Sequence, residues 1–448
     1  MKFFKLLAFG FLLTLASCGK DCTDPTSNPN NPLSPINNPT ATCDTSHYPI
    51  VFVHGTLASS DTWTQQVMRF ESNGYCGSRI YGFDYYSLSF GGGGGGNVVT
   101  DLDTYIDQVL QETGASKVEL VGHSQGGTHG YNYCSVAARA AKVAHYVHVG
   151  ASSQTKPAGP NGEIPTLNVS SLEDAVAGNT TITGANNTSL TNKDHYQVAT
   201  CVEAFEAMYR FFNNDVAPKT LQITPQSNPK LSGRAVVLGD NTALAGATVK
   251  VYEVAANSGA RLSGSPDFVL TTDAKGYFAP ITVKPSTHYE FEIKSTDPTD
   301  RVIHYYREGF IHSDKLVYLR IIPKTGTGAL LTNNLPKNDN QTVLAVFTAN
   351  QAVVNGRDSL TASGNELSSA ALSPASATNI AFFLYDDGDG TTEMTQDALY
   401  ASFPFIAQAD VFFPTTPVGS IPLRFNGRNQ FVQNLKSNTD GVIVVVFD

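Results

Sequence analysis

The sequence predicts an α/β domain with a mainly parallel sheet, followed by β-sandwich-like structure in its second half. Between residues 49 and 127, apolar strand-like runs alternate with amphipathic helical segments. This order is typical of parallel sheets with right-handed crossovers. After about residue 222 the helical periodicity gives way to short alternating strands, which indicates a separate β-rich part. At 448 residues the chain is long enough for two or three hydrophobic cores.

The first elements of the sheet are an apolar strand and an amphipathic helix. Residues 49–56, PIVFVHGT, form an apolar run of the kind that is buried on both faces of a parallel sheet. A helix follows whose apolar positions recur three and four residues apart, at Leu102, Tyr105, Ile106, Val109 and Leu110. Gly114 stands where a helix C-cap favours glycine.

The stretch 118–127, VELVGHSQGG, predicts a reactive serine. It consists of an apolar strand, the motif G-x-S-x-G and the start of a helix, which is the context of a nucleophile elbow. The turn is tight, so Gly122 and Gly126 are required on either side of Ser124. Ser124 is therefore the candidate nucleophile, and the N–H of Gln125 points toward a developing oxyanion. The His54-Gly55 end of the first strand resembles the oxyanion loop of the α/β-hydrolase fold, which makes the N–H of Thr56 the second candidate donor.

A serine hydroxyl needs an imidazole to accept its proton, and in this fold the chain order is serine, acid, histidine. The chain has ten histidines, but most precede Ser124, lie on predicted strands or helices, or fall far downstream. His195 lies in a polar loop just before an amphipathic helix, so we expect it to be the base. Asp174 follows a predicted strand over residues 164–169 and is the expected acid, with Glu173 as the alternative. Asp194 adjoins His195 in sequence and is poorly placed to reach its ring.

These residues resemble a known family. The Val-His-Gly loop at 53–55, the Gly-His-Ser-Gln-Gly elbow and the stretch 170–176 are similar to class 2 bacterial lipases. Archaeal-type lipases with a β-rich C-terminal domain are a closer match from about residue 47 to 325, on the segments 68–70, 73–75, 140–145, 164–167 and 304–307. The resemblance implies a serine ester hydrolase, a lipase or carboxylesterase without a cofactor, that cleaves a lipid or other ester through an acyl-enzyme. A polyester depolymerase would use the same chemistry.

The sequence departs from the closer family at two places. Its acid position corresponds here to Gly150, and we expect Asp174 to deliver the same carboxylate from the next strand. Where that family inserts a helical lid, this chain has six consecutive glycines, Gly91 to Gly96. Because glycine disfavours helix by about 1 kcal/mol relative to alanine, we expect an open cleft and little interfacial activation.

The N-terminus predicts export. Lys2 and Lys5 precede an apolar run over residues 6–15, which is too short to span a bilayer and is typical of a signal peptide over 1–17. The sequence Leu-Ala-Ser-Cys at 15–18 resembles a bacterial lipobox, so Cys18 is the expected lipidation site and membrane anchor. An ordinary signal peptide cleaved after Ser17 is the alternative. Residues 18–46 are rich in Pro, Asn, Ser and Thr and predict a disordered tether, and Gly19 favours the outer membrane or cell surface.

The cysteine positions, one acidic stretch and the net charge bear on disulfides, metal sites and nucleic-acid binding. We expect a disulfide between Cys43 and Cys76, and Cys134 and Cys201 as core residues. The sequence contains no C-x-x-C pair, so it does not support a zinc site. The acidic stretch 386–390 resembles a calcium loop but lacks the full twelve-residue pattern, which favours a β-turn without metal. The net charge of −10 without a basic cluster makes nucleic acid an unsuitable partner.

The organisation we predict has a catalytic domain over 47–222, a prealbumin-like β-sandwich over 223–297 and a second β-rich module over 298–448. A non-catalytic surface-binding lipoprotein with a vestigial elbow is the alternative to an ester hydrolase. The oligomeric state does not follow from the sequence.

Overall fold

A computed structural model describes residues 43–88, 97–403 and 405–448. The predicted signal peptide, Cys18, most of the predicted tether and the glycines 91–96 lie outside the described residues. No helix in the described part combines the length and the apolar character that crossing a membrane requires.

The first part of the chain forms a six-stranded sheet in which every strand is parallel to its neighbours. Its order is β2-β1-β3-β4-β5-β6. The strands are β1 (Ile50–Val53), β2 (Ile80–Phe83), β3 (Val118–His123), β4 (Val143–Val149), β5 (Thr166–Ser171) and β6 (Asn186–Leu190). Strands β1 and β3 are buried at every position, as a sheet covered on both faces requires. The predicted α/β-hydrolase type of sheet is confirmed.

Within the described residues, six helices connect and cover these strands: α1 (Thr64–Ser72), α2 (Val98–Thr113), α3 (Gln125–Tyr133), α4 (Ala137–Ala140), α5 (Gln197–Thr200) and α6 (Val202–Phe212). The predicted helix before the elbow is α2, which buries the stripe of Leu102, Ile106 and Val109. Gly114 caps α2 in the left-handed conformation, as expected. In α6, Phe205, Met208 and Phe212 face the core.

The described residues of the β-rich part form three sheets. A three-stranded sheet has the order β10-β7-β13, an eight-stranded sheet β18-β17-β14-β21-β12-β11-β8-β9, and a four-stranded sheet β16-β15-β19-β20. The strands are β7 (Lys230–Val237), β8 (Thr248–Glu253), β9 (Phe268–Thr271), β10 (Tyr277–Thr282), β11 (Tyr289–Lys294), β12 (Ile303–Arg307), β13 (Asp314–Ile321), β14 (Leu344–Thr348), β15 (Leu360–Ala362), β16 (Asn365–Glu366), β17 (Ala381–Tyr385), β18 (Ile406–Asp410), β19 (Ser420–Phe425), β20 (Arg428–Gln433) and β21 (Val442–Phe447); a short helix α7 (Gly326–Thr332) follows β13.

The eight-stranded sheet is the middle layer of this part. Alternate residues of β21 point to opposite faces. Val442, Val444 and Val446 join the core shared with the three-stranded sheet, whereas Ile443, Val445 and Phe447 join the core shared with the four-stranded sheet. Burial on both faces explains why this strand is apolar throughout.

The sequence-based division at residues 297 and 298 falls inside one sheet. Strand β11 lies before that position and β12 after it, yet they are antiparallel neighbours with Tyr289 opposite Arg307. The segments 223–297 and 298–448 therefore share the eight-stranded sheet instead of forming separate ones. Hydrogen bonding between distant strands, such as β12 with β21, is not visible in local periodicity.

Strand β13 joins the two parts of the chain. Its Leu316 and Tyr318 belong to the core of the α/β domain. Two of its basic side chains form salt bridges to that domain: Lys315 Nζ lies 2.6 Å from Glu71 Oε1, and Arg320 Nη2 lies 2.6 Å from Asp61 Oδ1. The two parts are therefore docked by both apolar and ionic contacts.

The expected disulfide between Cys43 and Cys76 is present, with Cα atoms 4.8 Å apart. It joins the beginning of the described chain to the segment before β2, where Asp44 also pairs with Tyr75. Cys134 is buried and reduced, and Cys201 is a partly buried free thiol at the N-terminus of α6.

We predict that Cys76→Ser lowers the free energy of unfolding by about 3 to 4 kcal/mol, because the bond closes a loop with a sequence separation of 33. Denaturant unfolding under oxidising conditions measures the change. Cys134→Ser serves as the control because reductant should still destabilise it, whereas reductant should have no further effect on Cys76→Ser. Equal sensitivity of both variants to reductant would contradict the prediction.

Candidate active site

Ser124 lies at the turn between β3 and α3. Its backbone has φ +54° and ψ −122°, a conformation rarely adopted by residues with side chains. A Cβ on Gly122 would lie 2.4 Å from the carbonyl oxygen of Gly126, and one on Gly126 would lie 2.3 Å from that of His54. Both positions therefore exclude any side chain, as the elbow motif predicts.

The structure brings the three predicted side chains together. His195 Nε2 lies 2.9 Å from Ser124 Oγ, and His195 Nδ1 lies 2.9 Å from Asp174 Oδ2 and 3.0 Å from Asp174 Oδ1. Ser124 follows β3, Asp174 follows β5 and His195 follows β6, so all three come from the carboxyl ends of parallel strands. The hydroxyl, the imidazole and the carboxylate form one continuous chain of hydrogen bonds.

Asp174 is the acid in contact with the imidazole, and Glu173 is not. Besides His195, Asp174 Oδ1 accepts hydrogen bonds from the N–H groups of Val176 and Ala177. Burial alone would raise the pKa of Asp174, but the contacts with His195 and these two amides outweigh it and hold the pKa below its usual value. Glu173 instead accepts a hydrogen bond from the N–H of Asn192 at 2.7 Å, so it braces the loop that carries His195.

Gly150 explains how the acid can come from the strand after β4. Gly150 follows β4, and a Cβ built there would lie 3.2 Å from Asp174 Oδ2. The position of the acid in the resembled family is thus adjacent to the carboxylate of Asp174. Asp174 itself follows β5, the strand after β4.

His123 contacts the backbone of the base, a role that the local sequence pattern does not indicate. Its Nε2–H donates to the carbonyl oxygen of His195 at 2.8 Å, and the two rings lie 4.7 Å apart. Burial, together with the nearby charge of His195, lowers the pKa of His123 to about 3. His123 is therefore a neutral donor that fixes the backbone of His195.

The two candidate oxyanion donors lie on adjoining backbone segments. A Cβ on Gly55 would lie 3.0 Å from Ser124 Cβ, so the segment leading to Thr56 passes directly beside the serine. Gln125 begins α3, where backbone N–H groups have no partner within the helix. Thr56 Oγ1 donates to Gln125 Oε1 at 3.2 Å and links the two residues.

The C-terminal part also contacts the loop of the base. Phe405 stacks on the imidazole of His195, with ring centroids 5.9 Å apart and planes 16° from parallel. The imidazole is only 2% exposed. The imidazole is therefore buried, while Ser124 remains partly exposed. The glycines 91–96, on which the expectation of an open cleft rests, lie outside the described residues.

Asp194 connects the base to the C-terminal part by hydrogen bonds. Its Oδ1 accepts from the N–H groups of Tyr196 and Gln197 at the start of α5. Its Oδ2 accepts from Arg357 Nη2 at 2.8 Å and from the N–H of Ala352 at 3.1 Å. Asp194 thus holds the loop on either side of His195, which sequence reasoning could not find because Arg357 is 163 residues away.

Within the described residues, this site has no group of three His, Cys, Asp or Glu side chains that could hold a metal ion. The groups of this kind among the described residues are Glu290, Glu292 and His304, and Asp386, Asp387 and Asp389. Both groups belong to the β-rich part.

Three family models match the chain. The alpha/beta hydrolase fold matches residues 48–199, the lipase C-terminal domain matches 227–323, and a further C-terminal domain matches 331–448.

Among similar solved structures are a naproxen esterase from Bacillus subtilis, the lipase BlEst2 from Bacillus licheniformis and the carboxylesterase CesB from Bacillus subtilis. Their sequence identities are 15%, 16% and 13%, and their TM-scores are 0.30, 0.31 and 0.29. The matches cover 39%, 38% and 39% of this chain and 86%, 94% and 87% of those chains, respectively.

We predict that Arg357→Gln slows covalent modification of Ser124 by a fluorophosphonate about tenfold, because the loop of His195 loses an anchor and small displacements are costly in such geometry. Rates are measured by mass spectrometry over time, with thermal unfolding as a check on folding. Arg424→Gln, on an exposed position of β19, is the matched control. A wild-type rate in folded Arg357→Gln would contradict the prediction.

Proposed function

The chain is a lipase-like protein with an α/β-hydrolase domain and a lipase-type C-terminal domain, and we propose that it is a serine carboxylic-ester hydrolase. The observation that carries the proposal is the hydrogen-bonded chain Ser124–His195–Asp174, with its two 2.9 Å contacts to the imidazole. Nucleophilic catalysis on an ester needs a hydroxyl, a base and a group that orients the base. These three groups meet at the carboxyl edge of the sheet.

The first half of the reaction forms an acyl-enzyme. His195 Nε2 accepts the proton of Ser124 Oγ as this oxygen attacks the acyl carbon of the ester. Asp174 accepts the Nδ1–H and stabilises the imidazolium that results. The tetrahedral intermediate collapses when His195 returns the proton to the leaving alcohol.

The second half releases the acid. A water molecule gives its proton to His195 and attacks the acyl carbon, and Ser124 Oγ then leaves with the proton that His195 returns. In both halves the N–H groups of Thr56 and Gln125 are the expected donors to the oxyanion. One such donor is worth about 10²- to 10³-fold in rate.

The predicted substrates are carboxylic esters of the lipase or carboxylesterase type. Cleavage requires no cofactor in this mechanism, because the nucleophile, the proton carrier and the electrophilic donors are all side chains or backbone groups.

We expect the full chain to hydrolyse p-nitrophenyl esters and Ser124→Ala to lose at least about 10⁴-fold in kcat/KM. Assays with acetate, butyrate, octanoate and laurate esters also give the acyl preference. Ser135→Ala, an exposed serine just after α3, should keep wild-type activity. Equal turnover by wild type and Ser124→Ala would overturn the proposal and leave the surface-binding alternative.

We further propose that the protein is exported and anchored to the bacterial envelope through lipid on Cys18, in the outer membrane or at the cell surface. The support is the short apolar run, the Leu-Ala-Ser-Cys sequence and the polar stretch that follows it. More than one acyl chain on a cysteine gives stable membrane attachment.

The anchor is tested by metabolic labelling with palmitate in a bacterium with two membranes. Wild type and Cys22→Ser should incorporate label and fractionate with membranes. Cys18→Ala should lose the label and leave the membrane fraction. Unlabelled wild-type protein, or labelled Cys18→Ala, would contradict the proposal.

A further inference from the structure

An acidic loop follows β17 in the C-terminal part. Carboxylate oxygens of Asp386, Asp387 and Asp389 all lie within 4.8 Å of one another. Asp386 is buried, and its carboxylate accepts hydrogen bonds from the N–H groups of Gly388, Gly390 and Thr391 at 2.9, 3.0 and 3.2 Å. The loop therefore wraps around Asp386 and keeps the carboxylates of the other two beside it.

A fourth carboxylate, that of Asp410, lies beside this loop at the end of the neighbouring strand. Strands β17 and β18 are parallel, with Tyr385 opposite Asp410, so the loop after β17 begins beside the end of β18. Asp410 is 4% exposed, and the N–H of Asp387 donates to its carboxylate. Its Oδ1 is buried without any hydrogen-bond partner. A buried carboxylate oxygen in this state is costly unless a cation or a donor satisfies it.

Negative charge accumulates at this point. Within the described ranges, none of these four carboxylates forms a salt bridge with a lysine, arginine or histidine.

The other metal-capable group of the described chain differs in this respect. Glu290 and Glu292 lie 2.6 and 2.8 Å from Arg261 Nη2, and Lys250 Nζ lies 2.8 Å from Glu292. Their charge is neutralised by side chains of the protein. The group around Asp386 has no such neutralisation, although it contains more carboxylates.

We propose that Asp386, Asp387, Asp389 and Asp410 form a binding site for one divalent cation, with calcium preferred. Calcium takes six to eight oxygen ligands in flexible geometry, and carboxylates with added water match this demand. Magnesium requires a stricter octahedral arrangement. The loop lacks the terminal glutamate of a twelve-residue calcium loop, which on sequence alone favours a β-turn. The structure places Asp410 of β18 beside the loop, where its carboxylate accepts the N–H of Asp387.

The bound ion would join the loop after β17 to the end of β18. Gln341 already holds this loop from the other side, since its Nε2 donates to the carbonyl oxygen of Asp386 at 3.0 Å and its Oε1 accepts the N–H of Asp386 at 2.9 Å. The expected effect is therefore stabilisation of the β-rich part. We expect a Kd of about 10⁻⁴ to 10⁻³ M, the range of extracellular calcium modules.

The test is calorimetric titration of the full chain with CaCl₂ after dialysis against EDTA, together with thermal unfolding. Wild type should bind one calcium ion and gain about 2 to 5 °C in Tm at about 10 mM calcium. Magnesium should give a smaller shift at the same concentration. Asp387→Asn and Asp410→Asn should weaken calcium binding at least tenfold.

Glu292→Gln is the matched control, because it removes an acid from the ion-paired group, and it should keep wild-type calcium binding. Asp387 is exposed, so Asp387→Asn should fold even if Asp410→Asn does not. No calcium heat with wild type, or the same calcium affinity in Asp387→Asn as in wild type, would overturn the proposal. These readouts do not depend on ester hydrolysis.

Discussion

The close approach of three backbone segments at Ser124 is the constraint on which the site depends. Gly126 of α3 lies against the carbonyl oxygens of Val53 and His54 at the end of β1, where even a methyl group would overlap. Gly55 in turn lies against Ser124. Because these segments are in contact, the serine hydroxyl and the backbone N–H groups beside it have fixed relative positions before any substrate arrives. The dihedral strain at Ser124 is maintained by the surrounding sheet.

The base has contacts with the C-terminal part as well as with the α/β domain. The imidazole of His123 donates to the carbonyl oxygen of His195, and the ring of Phe405 stacks on the imidazole of His195. Asp194 then links the same loop to Arg357. The β-rich part is thus a structural component of the candidate site, since it supplies contacts that a hydrolase domain alone would leave to solvent.

Features with a local signature could be predicted from the sequence, and features built from distant contacts could not. The G-x-S-x-G motif predicts the tight turn at Ser124, and polarity and chain order predict the loop before α5 that carries His195. By contrast, the contacts of Arg357, Phe405 and Asp410 join segments that no periodicity relates. The predicted boundary at 297 and 298 falls within one sheet for the same reason, because alternation predicts a strand but not which strand lies beside it.

Strand β21 has a consequence for how the molecule reaches its final shape. It lies between β12 and β14 and is parallel to both, although β13 separates those two strands along the chain and β21 follows β20. During synthesis, one edge of β12 and one edge of β14 therefore stay unpaired until β21 emerges, after every other strand of this sheet. Such late pairing is slow and leaves strand edges open to intermolecular association. Holdase chaperones would accordingly protect a newly made chain from association until β21 occupies its position between β12 and β14.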